Sequence, residues 1–135
     1  MSIVEFLLAR IEEDEALARS ASPGPWHVDA ESTEVLAVDG IVVADGFALS
    51  GPQTRATTAH IARHDPTRVL AECAAKRQTV AYFAEEIEYT GLDRQRMTDD
   101  QFRRVLDAER TLGWLAQPYA DHPDFDPAWR GIPSM

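Results

Sequence analysis

Asp65-Pro66-Thr67-Arg68-Val69-Leu70-Ala71-Glu72-Cys73-Ala74 opens the stretch, running on to Gly91, whose reading decides the fold. Asp65 is a helix N-cap residue, and Pro66 stands at the first helical position, where its missing N–H costs nothing. From there Val69, Leu70, Cys73, Ala74, Val80, Ala81, Ala84 and Ile87 recur at helical spacing for about six turns. The pattern predicts one long helix from about residue 66 to 89, with Gly91 ending it or lying just past its end.

Working upstream, Asp65-Pro66 also breaks a short helix that begins near Thr54 and carries Ala56, Ala59, Ile61 and Ala62. Gly46 to Gln53, with two glycines and a proline, reads as a loop. Before it the period changes. Glu34–Val38 and Ile41–Asp45 flank Asp39-Gly40, a two-residue hairpin signal. Pairing Val38 with Ile41 sets Leu36 opposite Val43 on one face and Val35, Ala37, Val42 and Ala44 on the other. Both faces are apolar, so the ribbon needs cover and a third strand, for which Trp26–Asp29 is the candidate. Ser22-Pro23-Gly24-Pro25-Trp26 ends a first helix, which Ser2 and Glu5 open as a capping box and along which Ile3, Val4, Leu7, Leu8, Ile11 and Ala18 recur.

Downstream, Thr98 and Gln101 form a second capping box. Phe102, Val105, Leu106, Leu112, Leu115 and Ala116 are expected on the buried side of the helix it opens, and Pro118 closes that helix. Residues 119–135 carry Tyr119, Phe125 and Trp129 among prolines and read as an extended C-terminal strap. The expected fold is α+β: a small antiparallel hairpin or three-stranded meander packed against three or four helices, in a single domain over residues 1–135.

The chain has 135 residues and a net charge of −10, and 44% of it is hydrophobic, as in an ordinary globular domain. Its acids argue against broad nucleic-acid binding, which draws its affinity from clustered Lys and Arg. The charge is uneven: residues 1–50 sum to −8, 51–77 to +3 and 78–135 to −5. Twelve of the thirteen basic residues are Arg, Lys76 being the exception. Cys73 is the single cysteine, so neither an intramolecular disulfide nor a multi-cysteine zinc site can form. No apolar run reaches the roughly 20 residues that span a bilayer. A soluble, cytoplasmic chain with no membrane association is the expectation.

Few constellations carry chemistry. His60 and His64 stand four apart, on one face of a helix, a spacing that can chelate a divalent metal; His122 beside Asp121 would supply the third ligand. The structural alternative has His60 packing locally and His64 at the helix carboxyl end, where a partly positive imidazole is favoured. Arg63, Arg68 and Arg77 could contact an anion near the start of the long helix, although Asp65 already occupies that cap. As an alternative, they salt-bridge to the acidic helices. A ligand pocket near Arg68 and Trp26 is a further reading. Cys73 lies on the apolar stripe, where a thiol behaves as a small hydrophobe. The acidic run Glu12–Glu15 reads as a solvated face or a partner-docking surface.

The order Ser22-Pro23-Gly24-Pro25-Trp26, a short β region, Ala59-His60-Ile61-Ala62-Arg63-His64-Asp65-Pro66-Thr67-Arg68-Val69-Leu70-Ala71-Glu72, Ala75-Lys76-Arg77 and Pro118-Tyr119-Ala120-Asp121-His122-Pro123 resembles an uncharacterised actinobacterial and actinophage family. It is loosely similar to early accessory proteins of tailed phages. The resemblance implies a phage or prophage setting and no activity. Many actinobacterial relatives carry a Cys-x-x-Cys pair after the long helix, suggestive of zinc; this chain has no cysteine between Glu85 and Met97. The expected function is a non-enzymatic protein-interaction module with a protein partner or self-association. The alternative is metal or small-ligand binding through His60, His64 and His122. No cofactor beyond such a divalent metal is expected.

Overall fold

The computed structural model describes residues 1–47, 49–89 and 94–130. Gly91, expected to end the long helix, and residues 131–135 of the expected strap lie outside them. Among the described residues there are four α-helices, α1 (Ile3–Ser20), α2 (Gly51–Arg63), α3 (Pro66–Tyr89) and α4 (Asp99–Ala116), and a three-stranded antiparallel sheet of β1 (His27–Val28), β2 (Glu34–Leu36) and β3 (Val42–Asp45) in that order. The fold is α+β. Its contacts group into two compact units, Glu13–Ala74 and Met1–Glu12 with Ala75–Met135.

In the unit Glu13–Ala74, α2 packs against all three strands. Val35 and Ala37 are fully buried there, with Cys73 close to it. The strand expected at Trp26–Asp29 is β1, whose Val28 pairs with Val35 and His27 with Leu36. The turn joining β1 to β2 is built on Asp29. Its carboxylate accepts from the Thr33 N–H (2.8 Å), the Glu34 N–H (3.1 Å) and the Thr33 hydroxyl (3.0 Å). The Glu34 bond, followed by those of Thr33, holds the carboxyl below its ordinary range.

The hairpin departs from the expected geometry. Ala37 N–H donates to Ile41 O and Gly40 N–H to Ala37 O, both at 2.9 Å. Val38, Asp39 and Gly40 therefore form a three-residue loop, closed by Gly40 at φ +84°. A type I turn followed by a left-handed residue has this form, and glycine adopts that conformation without Cβ strain. One residue further on, Leu36 pairs with Val42 but Val35 pairs with Ala44. Val43 is thus an extra residue in β3, a bulge, and it does not stand opposite Leu36 as simple pairing predicts.

The loop expected over Gly46–Gln53 is shorter than its composition suggests, because α2 begins at Gly51. Ser50 is its N-cap, Ser50 N–H donates to Gln53 Oε1 (3.3 Å), and Pro52 lies in the first turn. Two buried hydroxyls then fix the helix. Thr58 Oγ1 lies 2.7 Å from Thr54 O and 3.0 Å from Ser32 O, and Thr54 Oγ1 lies 2.9 Å from Ser50 O.

The start of α3 is as the sequence predicts. Asp65 is buried, its Oδ1 accepts from Arg68 N–H at 2.8 Å, and its Oδ2 accepts from Trp26 N–H at 2.9 Å. One carboxylate therefore caps the helix and holds the turn that follows α1. Gly24 comes so close that a Cβ there would stand 2.2 Å from Thr67 Oγ1. The peptide between Gly24 and Pro25 is cis.

In the other unit, Ser2 and Glu5 form the expected box: Glu5 N–H donates to Ser2 Oγ (3.1 Å) and Ser2 N–H to Glu5 Oε2 (3.3 Å). Thr98 and Gln101 do the same for α4 at 3.2 and 3.0 Å. Phe6 is fully buried and is ringed by Tyr119, His122, Phe125 and Trp129, with centroid distances from 5.0 to 6.3 Å. Single 3-10 turns at Gln117–Tyr119 and Pro127–Trp129 carry Tyr119 and Trp129, and the segment between them carries His122 and Phe125. The buried side of α4 is Val105, Ala108, Leu112, Gly113 and Ala116. Phe102 and Leu106, expected among them, are 41% and 38% exposed. They stand on the flank of a stripe narrowed to positions spaced three and four apart.

Candidate functional site

His60 and His64 are brought together. One lies in the last turn of α2, the other is its C-cap, and their ring centroids are 4.5 Å apart. Both are exposed. His122 belongs to the unit that contains Ala75–Met135, where it faces Phe6 at 5.7 Å and its Nε2 lies against the Arg10 guanidinium. Its Nδ1 accepts from Asp124 N–H at 3.0 Å. Among the described residues no group of three or more His, Cys, Asp or Glu side chains is placed to hold a metal ion.

The basic residues near α3 have local partners. Arg68 Nε donates to Glu72 Oε1 at 2.8 Å, Arg77 is engaged as well, and Arg63 is exposed at the end of α2. The helix N-terminus that could receive an anion holds the Asp65 carboxylate instead. Trp26 is half-buried, and its indole N–H donates to Ser22 O at 2.9 Å. In this arrangement Trp26 and Asp65 close the turn upon α3.

Two other features have the form of sites. The first is apolar surface at the hairpin and the residues after it. Val38, Ile41, Val42 and Leu49 are exposed, Ile41 at 62% and Phe47 at 88%. β3 is an edge strand, so its outer backbone groups have no strand beside them among the described residues. The hairpin pattern was a signal for this surface, since a ribbon apolar on both faces cannot bury both against a single helix layer.

The second is a cleft of about 690 Å³ in the unit of Met1–Glu12 and Ala75–Met135. Ile3 and Val4 of α1, Ile87 of α3, Leu106 and Gly113 of α4, and Trp129 line it. Its charged groups are Glu5, Glu88, Glu109, Arg110 and Arg130. One amide sets the Trp129 wall: Gln117 Nε2 donates to Gly113 O at 2.9 Å and to Trp129 O at 2.7 Å. A Cβ on Gly113 would meet Trp129 O at 3.2 Å, so glycine permits this close approach. Sequence reasoning missed the cleft, because its walls come from four separated segments. The outward Leu106 is its one recognisable trace.

A family model described as a family of unknown function, DUF6221, matches residues 1–131. The chain belongs to the DUF6221 family. The match spans the Pro-Gly-Pro-Trp turn, the sheet, the four described helices and the ring cluster, so DUF6221 membership covers nearly the whole chain. No curated protein and no solved structure matches the chain.

Proposed function

We propose that the protein is a non-enzymatic interaction module that docks a protein partner, or a second copy of itself, through the apolar hairpin surface. The observation that carries this reading is the exposure of Val38, Ile41, Val42, Phe47 and Leu49 within twelve residues. Exposed apolar groups gain by removal from water, about 25 cal/mol per Å² buried. The adjoining edge strand adds backbone donors and acceptors that an extended partner segment can pair. The net charge of −10 keeps such a surface soluble when alone and disfavours phosphate backbones as partners. The motif resemblance supports a phage or prophage accessory role in the cytoplasm.

Light scattering for self-association and affinity capture from host extract form the test, each run with wild type and with the double variant Ile41→Asp and Phe47→Ser. Self-association or capture that the double variant abolishes, while keeping its thermal midpoint, is expected. Empty results in both assays, or complexes insensitive to the substitutions, refute the reading.

A second reading rests on the close contact of the His60 and His64 rings, which could share a divalent ion at the end of α2. Elemental analysis of the purified protein and melting with and without a chelator test it. Bound metal lost in His60→Ala is the expected result; no metal and an unchanged midpoint refute it.

A further inference from the structure

The cleft bounded by α1, α3, α4 and Trp129 belongs to the unit of Met1–Glu12 and Ala75–Met135 and has its own chemistry. At about 690 Å³ it falls within the ~300–1,000 Å³ range of small-molecule sites. Ile3, Val4, Ile87, Leu106 and Trp129 give it an apolar interior. Trp129 is held by Gln117 and by the glycine at 113, so this wall is fixed before any ligand arrives.

The charges select the class of occupant. Arg110 and Arg130 contribute to the cleft, and neither takes part in an ion pair among the described residues. Of the three carboxylates nearby, Glu5 accepts from the Ser2 N–H and Glu109 is engaged in an interaction of its own. Glu88 remains as the opposing charge. The first turn of α1 adds the positive end of a helix dipole to the same cleft, partly offset by Glu5. Three carboxylates and two guanidiniums line the cleft, and the guanidiniums, outside any ion pair among the described residues, complement an anionic group joined to an apolar body. Guanidinium pairs with a planar carboxylate through two parallel hydrogen bonds.

We infer that this cleft binds an amphiphile with one carboxylate head and a hydrocarbon body, the body against Ile3, Ile87, Leu106 and Trp129 and the head between Arg110 and Arg130. Binding is independent of the hairpin surface and does not rest on the interaction reading.

Isothermal titration of the full chain with dodecanoate, below its micellar concentration, tests the assignment; dodecyltrimethylammonium is the charge-reversed control. Dodecanoate is expected to saturate at one equivalent, and the cation to bind at least tenfold more weakly. Arg110→Gln with Arg130→Gln weakens dodecanoate binding by about tenfold or more. Both arginines are exposed, so the thermal midpoint is expected to hold. Glu88→Gln tightens binding by removing the opposing charge. Equal binding of the two amphiphiles, no binding of either, or an unchanged affinity in the double arginine variant overturns the inference.

Discussion

Removing the carboxylate of Asp65 tests two roles at once. In Asp65→Ala the N-cap of α3 is lost, which costs about 1 kcal/mol. Trp26 N–H, half-buried and otherwise bonded to Oδ2, also loses its acceptor. An unsatisfied buried donor costs about 1–3 kcal/mol, so the two effects sum to about 2–4 kcal/mol. At about 4 °C per kcal/mol for a domain of this size, the midpoint is expected to fall by about 8–16 °C. Asp65→Asn separates the contributions. Asparagine caps as well as aspartate does, so its amide oxygen can serve Arg68 N–H while its NH₂ group turns a donor toward Trp26 N–H. The variant should therefore fall between wild type and alanine, nearer alanine if the Trp26 bond dominates. Urea denaturation followed by circular dichroism supplies both free energies. A loss below about 0.5 kcal/mol in Asp65→Ala refutes the double role of this carboxylate, and an asparagine variant as stable as wild type refutes the Trp26 share.

Gly24→Ala is expected to destabilise by about 1–3 kcal/mol through overlap with Thr67 Oγ1, and Thr67→Ala in the same chain should recover part of the loss; a double-mutant cycle in urea measures the coupling, and strict additivity counts against the contact. Leu112→Ala empties a fully buried position on α4 and should cost about 2–5 kcal/mol in the same assay, whereas Trp114→Ala on the exposed face should cost well under 1 kcal/mol. The Asp29 carboxyl is held below its ordinary range, so its contribution is complete above the unfolded value near 3.8 and is lost as pH falls through the lower folded value. Melting of wild type and Asp29→Asn across this acid window should converge as pH drops; parallel curves would remove Asp29 from the account.

Where one residue type carries a local signal, the sequence made the structure readable. Asp65-Pro66 marks the start of α3 and Thr98 with Gln101 the start of α4, because capping is decided within four residues. Ser50 and Gln53 carry the same kind of signal, but the glycines and prolines around them read as loop and concealed it. The hairpin was legible as a pair of strands. Its loop length was not, since Asp39-Gly40 suits a two-residue turn and also the end of a three-residue one. Phe102 and Leu106 follow helical spacing as well as Val105 and Leu112 do, and spacing alone cannot tell a buried face from its exposed flank. The candidate sites follow the same division. The contact of His60 with His64 is an i, i+4 relation and could be read; a cleft made by residues 3, 87, 106 and 129 could not.

The ring cluster around Phe6 has a consequence for the order in which the protein is made. Phe6 is translated ahead of Tyr119, His122, Phe125 and Trp129, which enclose it and follow 113 residues or more behind. At ~5–20 residues per second, this ring waits roughly 6–23 seconds for its enclosure. Throughout that interval the inner face of α1 is a sticky amphipathic surface on a nascent chain. The four acids at Glu12–Glu15 travel on the same helix, giving the growing chain like-charge repulsion while its aromatic partners are still untranslated.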